Sequence, residues 1–331
     1  MRVQQLINVD EGEVELQTAE LADPGPGEIL VRSRVSGISP GTERAWCLGL
    51  PNTPHEWPRP TGYSLIGEVV ATGSDVSLAV GQRVFLPVGH ASGALVAARR
   101  ATPIPDDVRD EHAALLAMMG VALQGVRKAR IELGEDALVI GGGLIGQLAA
   151  QFAHIAGAGR VLLADISDAR LNVASACGLA EPVNPQTGTG KTAIAALGQR
   201  GQGPEVVIEA TGAPEPINDA VKWAAPRGRV VLLGSTRGDT EKVNFYRDVH
   251  KKGLTLIGAH AAVRPAEDDA PGYWTVRHDY QVALRLLASK RLRVDPLITH
   301  RFDSTDYQRA YGLLFDWDEG LIGAVLHWPK G

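Results

Sequence analysis

The spacing of hydrophobic positions changes near residue 110, and the change divides the chain. Before it, short alternating runs are separated by turn residues: Gly27–Gly37 after the breaker Pro24-Gly25-Pro26, then Ile66–Gly73, then Gly81–Pro87. Period-two runs bounded by glycine and proline predict strands, so this part reads as a compact β-rich unit. Between Cys47 and Thr61 the chain is too rich in proline for a helix or a central strand, and it reads as an exposed loop. From Asp110 the pattern becomes helical, with Ala113–Val126 small and apolar enough to be buried on most sides.

Apolar runs then alternate with helical segments. Strands are predicted at residues 136–140, 160–164, 205–209, 228–234 and 254–258, with helices beginning near 145 and covering 169–176 and 216–225, and with a polar loop at 184–190. That alternation predicts an α/β fold, a doubly wound parallel sheet with both faces covered. Two amphipathic helices, at 280–287 and 307–314, and a last strand at 323–328 follow.

One stretch organises the second half. Asp136–Ile140 runs into Gly141, Gly143 and Gly146 at the G-x-G-x-x-G spacing, and a helical pattern opens behind them. Three such glycines alone also occur in ordinary turns; strand before and helix after make this a dinucleotide fingerprint. Gly141 would turn the chain, Gly143 would admit a pyrophosphate, and Gly146 would let helix and strand pack closely. Leu144 and Ile145 would flank the phosphates at the helix N-terminus. A second apolar run ends in Asp165, nineteen positions after Gly146, where a carboxylate can accept from a ribose 2′-hydroxyl and repel a 2′-phosphate. NAD is therefore expected over NADP, with Arg170 leaving the second open unless it is a solvated helix residue.

Composition changes the picture little. The 331 residues fit two domains, and 33 basic against 38 acidic residues give a net charge of −5, without a basic field for nucleic acid or an anionic membrane. No apolar run reaches membrane-spanning length and the N-terminus lacks a signal-type core, so a cytoplasmic protein with a small-molecule substrate is expected. The two cysteines, Cys47 and Cys177, cannot build a four-cysteine zinc site and are expected to be reduced thiols.

Val35–Glu43, Gly62–Val70, Gly81–Val84, Ala113–Leu116, the glycine motif and Glu209–Gly212 together resemble the medium-chain dehydrogenase/reductase, or zinc alcohol dehydrogenase-like, superfamily. The resemblance implies a GroES-like catalytic domain at 1–120, a Rossmann NAD-binding domain at 121–262, and a segment at 263–331 that returns to the first, with a substrate cleft between the domains. It also implies cofactor contacts from Thr211, Gly212, Gly234 and Ser235, with Arg170 beside the adenine, and a homodimer formed through the Rossmann edge at 254–258.

The chain departs from the zinc-dependent members at each ligand position. Ser39 or Pro40 stands at the first cysteine, Tyr63-Ser64 at the Gly-His-Glu pair, and Ala117-Met118-Met119 at the third ligand. Zinc requires thiolate, imidazole or carboxylate donors, so a zinc-independent branch is expected. The Ser-Gly-Ile-Ser-x-Gly-Thr-Glu wording is most similar to the bacteriochlorophyllide dehydrogenase-like subgroup.

Without a metal, side chains must handle the substrate oxygen. Thr42 matches the family's relay hydroxyl, or else makes an ST-turn or helix cap; Glu43 either orients that relay or pairs with Arg44. Tyr63 is expected to point into the cleft, with a phenol that a neighbouring cation would lower, or simply to fill an emptied metal pocket. His90 is either a group titrating near neutral pH or a satisfied core histidine. His55 and Trp57 are placed at a substrate entrance, His260 near the nicotinamide or a subunit partner, and Cys47 is expected to be inert. The leading expectation is an NAD-dependent oxidoreductase interconverting a secondary alcohol and a ketone. Alternatives are a reductase of activated C=C bonds and a non-catalytic NAD-binding sensor.

Overall fold

The computed structural model describes residues 1–265 and 274–329. In chain order, the first part contains β1 (Arg2–Asp10), β2 (Glu13–Glu20), β3 (Glu28–Ile38), α1 (Pro40–Cys47), β4 (Arg59–Pro60), β5 (Leu65–Thr72), β6 (Arg83–Leu86), β7 (Gly93–Ala97), β8 (Thr102–Pro103) and α2 (Asp110–Ala113). The middle contains α3 (Leu116–Ala129), β9 (Ala137–Ile140), α4 (Leu144–Ile155), β10 (Val161–Ala164), α5 (Asp168–Cys177), β11 (Glu181–Val183), α6 (Gly188–Ala195), β12 (Val206–Glu209), α7 (Pro216–Trp223), β13 (Arg229–Leu232) and β14 (Thr255–Gly258). The tail contains α8 (Val276–Ala288), β15 (His300–Asp303), α9 (Tyr307–Phe315) and β16 (Ala324–His327). None of the helices among the described residues is long and apolar enough to cross a membrane.

The chain forms two compact units: Met1–Ala117 with Tyr280–Lys290 and Ile298–Gly331, and Met118–Asp279 with Arg291–Leu297. The first is the GroES-like domain. Its main sheet runs β15-β16-β3-β5-β6-β8 with β7 also on β3, and the β2-β1-β4 sheet accompanies it. Ile29, Val31, Leu65, Val69, Val84 and Leu86 are buried in one cluster, each side chain stabilising the fold by roughly 1.5–3 kcal/mol through burial. Two features of this unit were not predicted. The β1–β2 hairpin has a polar face that hides its alternation, and β4 turns the end of the proline-rich loop into a two-residue pairing with Ile7 and Asn8. Proline is tolerated there because β4 is an edge strand.

The second unit is a parallel Rossmann sheet in the order β11-β10-β9-β12-β13-β14. The order reverses between β9 and β12, which makes their carboxyl ends the topological switch point. Leu138, Leu162, Val207 and Val230 from the strands pack with Ile194, Val221 and Ala224 from the helices. The predicted polar loop at 184–190 is shorter than expected. Thr187 accepts a hydrogen bond from the Gly190 N–H (3.0 Å) and starts α6 at Gly188, a capping hydroxyl overriding two glycines.

The single return at residue 263 is corrected. The second unit keeps the described chain up to Asp279 and takes back Arg291–Leu297; residues 266–273 and 330–331 of that segment lie outside the described residues. Arg127 pairs with Asp279 at 2.8 Å, and the Gln151 side chain brackets the Arg293 backbone from both sides, donating at 3.0 Å and accepting at 2.8 Å. These contacts join residues more than 140 positions apart, so no local pattern marks them.

Candidate active site

The glycine turn has the geometry its spacing predicts. Gly141 has φ +103°, which only glycine adopts without strain, and its N–H donates to the Ala164 carbonyl at 2.8 Å. A Cβ on Gly146 would lie 1.7 Å from the Gly141 oxygen, so any side chain there would force α4 off the end of β9. A Cβ on Gly143 would meet nothing within 4 Å, leaving open space at the helix start. Gly143 caps α4, and the N–H groups of Leu144, Ile145 and Gly146 occupy the first turn, where helix geometry supplies no acceptor. This is a cradle for an anion.

Asp165 follows directly on β10 and is almost fully buried. Its Oδ2 accepts from the Gly142 N–H at 2.6 Å and its Oδ1 from the Ser167 N–H at 2.8 Å. The carboxylate is thereby fixed against the glycine turn. Arg170 is not a purely solvated helix residue: its Nη1 stands 3.5 Å from Asp165 Oδ2. Gln147, which no motif marks, donates to both the Gly142 and Arg170 carbonyls, at 3.1 and 2.9 Å, and ties the two features together.

The remaining predicted cofactor residues gather at the same sheet edge. Thr211 donates from its N–H to Glu209 Oε1 at 2.7 Å and packs against Gly141, and Gly234 donates to the Glu209 carbonyl at 2.8 Å. Gly212, with φ +77°, accepts at its carbonyl from the Arg237 N–H, and Ser235 is exposed.

In the first unit, Ser39 precedes α1 and Thr42 lies in its first turn. The Tyr63 hydroxyl donates to Ser39 Oγ at 2.6 Å, and the Thr42 hydroxyl bears on the same phenol. Three hydroxyls thus form one cluster. The expected cation beside Tyr63 is corrected: burial pushes the phenol up to about 12, against its hydrogen bonds with Ser39 and Thr42, and the nearby Glu43 carboxylate and Tyr280 phenol push the same way. The alternative of a Thr42 helix cap is also set aside, because the N-cap is Ser39 and it makes no side-chain cap bond.

Glu43 and His90 are corrected together. Glu43 does not pair with Arg44, whose guanidinium lies over Trp317. Its Oε1 accepts from the Ser39 N–H at 2.7 Å, and its Oε2 accepts from the Tyr311 hydroxyl at 2.7 Å and faces His90 Nε2 at 3.0 Å. His90 is fully buried and its Nδ1 faces Ser36 Oγ at 2.8 Å, while the Trp328 indole N–H donates to that oxygen at 3.0 Å. With the proton on Nε2, donors run in one direction from Trp328 through Ser36 and His90 to Glu43, and each finds an acceptor. His90 is a satisfied core histidine, and Glu43 holds the Ser39 backbone N–H. No local pattern marks Tyr311, Ser36 and Trp328, because they reach this point from the tail and from β3.

Other candidates take structural roles. Trp57 donates to Asn8 Oδ1 at 2.6 Å and lies against Gly49, which anchors the loop; His55 remains exposed. His260 caps a short 3₁₀ turn, accepting from the Ala262 N–H at 3.1 Å. Burial raises the Cys47 thiol to about 12 and the Cys177 thiol to about 11, so neither is a ready thiolate.

The donor set does not fit zinc. Ser39 is engaged with Tyr63, the Ser64 hydroxyl donates to the Ala114 carbonyl at 2.6 Å, and Met118 and Met119 are fully buried. No group of three or more His, Cys, Asp or Glu residues able to hold a metal occurs among the described residues.

Comparison with known proteins agrees with the architecture. Residues 25–123 match the family model described as "Alcohol dehydrogenase GroES-like domain" and residues 145–288 the one described as "Zinc-binding dehydrogenase". Human sorbitol dehydrogenase is 29% identical over 326 residues, covering 88% of this chain and 87% of its own. L-threonine 3-dehydrogenase of Pseudoalteromonas atlantica is 27% identical over 347 residues, covering 95% and 96%. The crystal structure of 2R,3R-butanediol dehydrogenase from Bacillus subtilis superposes with a TM-score of 0.83 at 22% identity, covering 99% of this chain and all of that one. The chain belongs to the medium-chain dehydrogenase/reductase, or alcohol dehydrogenase-like, superfamily of oxidoreductases.

Proposed function

We propose that the protein is an NAD-dependent oxidoreductase that interconverts a secondary alcohol and a ketone without a metal ion. The observation that carries the reading is the hydroxyl cluster. Ser39 or Pro40 stands where zinc-dependent members have a cysteine and Tyr63 where they have a histidine, and the Tyr63 hydroxyl donates to Ser39 Oγ at 2.6 Å with Thr42 on the same phenol. The likeness to dehydrogenases named for sorbitol and L-threonine supports alcohol chemistry. The fixed carboxylate of Asp165 supports NAD, because a 2′-phosphate would meet its charge.

The residues divide the work. Gly141, Gly143 and Gly146, with the peptide N–H groups of Leu144 and Ile145, would hold the pyrophosphate, and Asp165 the adenosine ribose. Nicotinamide, when bound, supplies a hydride acceptor or donor. Thr42 would hydrogen-bond the substrate oxygen, and Tyr63, retaining its proton up to about pH 12, keeps the cluster charged with a donor. Ser39 accepts from Tyr63, and Glu43 fixes Ser39 from below through the Ser39 N–H. The alkoxide that zinc would stabilise is met here by hydroxyl donors.

Stopped-flow NADH oxidation against panels of ketones and of enones tests the reaction. Turnover of ketones supports it; turnover of enones alone would replace it with C=C reduction, and binding without turnover with a sensor. Stoichiometric zinc in the purified protein, with inactivation by a chelator, would overturn the metal-free part. We also propose a homodimer through β14, the edge strand, where Leu256 is exposed. A monomer in sedimentation would refute that.

A further inference from the structure

Glu209 stands at the carboxyl end of β12, across the switch point from Gly141, and is completely buried. Its Oε1 accepts from the Thr211 N–H at 2.7 Å and from the Thr211 hydroxyl. Its Oε2 has no hydrogen-bond partner among the described residues. It is pressed instead against Gly234, where a Cβ would approach it to 2.9 Å. Among the described residues, no charged group is seen to act on the carboxyl. The flanking strand β9 is wholly apolar, and Arg229 of β13 lies at the far end of its strand, paired with Glu135. On the packed helices, His154 of α4 is exposed, and Asp219 and Lys222 of α7 face each other across solvent. A buried carboxylate with one bare oxygen and no cation beside it is unfavourable, and the group keeps its proton instead.

We infer that Glu209 is a positioning residue of the dinucleotide edge, a neutral carboxylic acid that clamps Thr211 beneath Gly141 and so fixes the turn that receives the phosphates. The inference rests on the dinucleotide reading above. The mechanical link is short. Thr211 Oγ1 in turn accepts from the Ala213 N–H at 3.0 Å, and a Cβ on Gly141 would come within 3.0 Å of the Thr211 N and Cγ2. The Glu209 carbonyl also receives the N–H groups of Leu233 and Gly234, at 2.9 and 2.8 Å, so one residue joins the ends of β12 and β13 and braces β9. Burial raises the carboxyl above its ordinary value, against the two Thr211 hydrogen bonds. Ionisation would place a charge on Oε2 and loosen the clamp.

The test uses the full chain and NADH as the probe. Glu209→Gln retains the accepting oxygen, whereas Glu209→Leu leaves the Thr211 donors unmatched. NADH affinity should fall by about tenfold or more in Glu209→Leu and stay within about threefold in Glu209→Gln. The wild type should lose affinity toward alkaline pH while Glu209→Gln stays flat. In the unliganded protein, an infrared carbonyl band of a protonated carboxyl should be present at neutral pH and absent from Glu209→Gln. Unchanged NADH affinity in a folded Glu209→Leu, identical pH profiles for wild type and Glu209→Gln, or no such band would each overturn the inference. If wild type binds neither NADH nor NADPH, the dinucleotide reading and the positioning role fall together. The infrared band would then still decide the protonation of Glu209.

Discussion

Two buried glutamates, one in each unit, show how the surroundings of an acid decide its use. Glu43 receives three donors over its two oxygens, from Ser39, His90 and Tyr311. Glu209 receives two donors, both from Thr211 and both on one oxygen. The first carboxyl is supplied on both sides and is the hub of a hydrogen-bonded chain ending at Trp328. The second is supplied on one side only, and burial raises it. Both are buried; the number and placement of donors separates them.

The comparison can be broken first at Glu43. Glu43→Leu strands the Ser39 amide, the Tyr311 hydroxyl and His90, and should lower unfolding free energy by about 3–5 kcal/mol in urea titrations. A loss under about 1 kcal/mol would mean that the chain from Trp328 does not hold α1. Tyr63→Phe leaves that chain intact and should keep the fold, but lower kcat by about 10²–10⁴-fold. The wild-type rate profile should show no limb from Tyr63 below about pH 12; a limb near pH 10 that disappears in Tyr63→Phe would contradict its burial.

On the other side, Gly146→Ala drives a methyl into the Gly141 carbonyl and should destabilise by about 1–3 kcal/mol, with weakened NADH binding measured by fluorescence. Glu209 gives the comparison a pH axis. Its folded form holds the proton above the ordinary carboxyl value of 4.5, so its contribution to stability is full below that value and declines as pH climbs through it. Glu209→Gln should therefore gain on wild type in thermal melts as pH rises above the ordinary carboxyl value of 4.5, while equal slopes would show that Glu209 is ionised in the fold. The smallest effect is on the thiols. Cys47 and Cys177, raised to about 12 and about 11, should react with a thiol reagent at pH 8 only after unfolding.

Short-range geometry was legible in the sequence. The strand–turn–helix at Gly141–Gly146 needs glycine at positions set by the local backbone, and Asp165 lies one strand away, so motif spacing carries both. The β1–β2 hairpin and the helix opened by Thr187 were less legible, because polar faces and glycines mask them. The first unit's chemistry was legible only as a list. Thr42, Tyr63, Glu43 and His90 could be named, but not sorted into donors and supports.

That sorting was tertiary. Tyr311 reaches Glu43 across 268 positions and Trp328 reaches Ser36 across 292, separations at which periodicity and spacing carry no information. Residue identity settled which atoms can donate, accept or bind a metal, and local glycine and apolar patterns settled the Rossmann turn. Whether a given acid would be supplied on both oxygens or on one depended on which distant side chains the folded sheets delivered. Burial removes water as an alternative partner, so only the packed structure determines what each buried group must find.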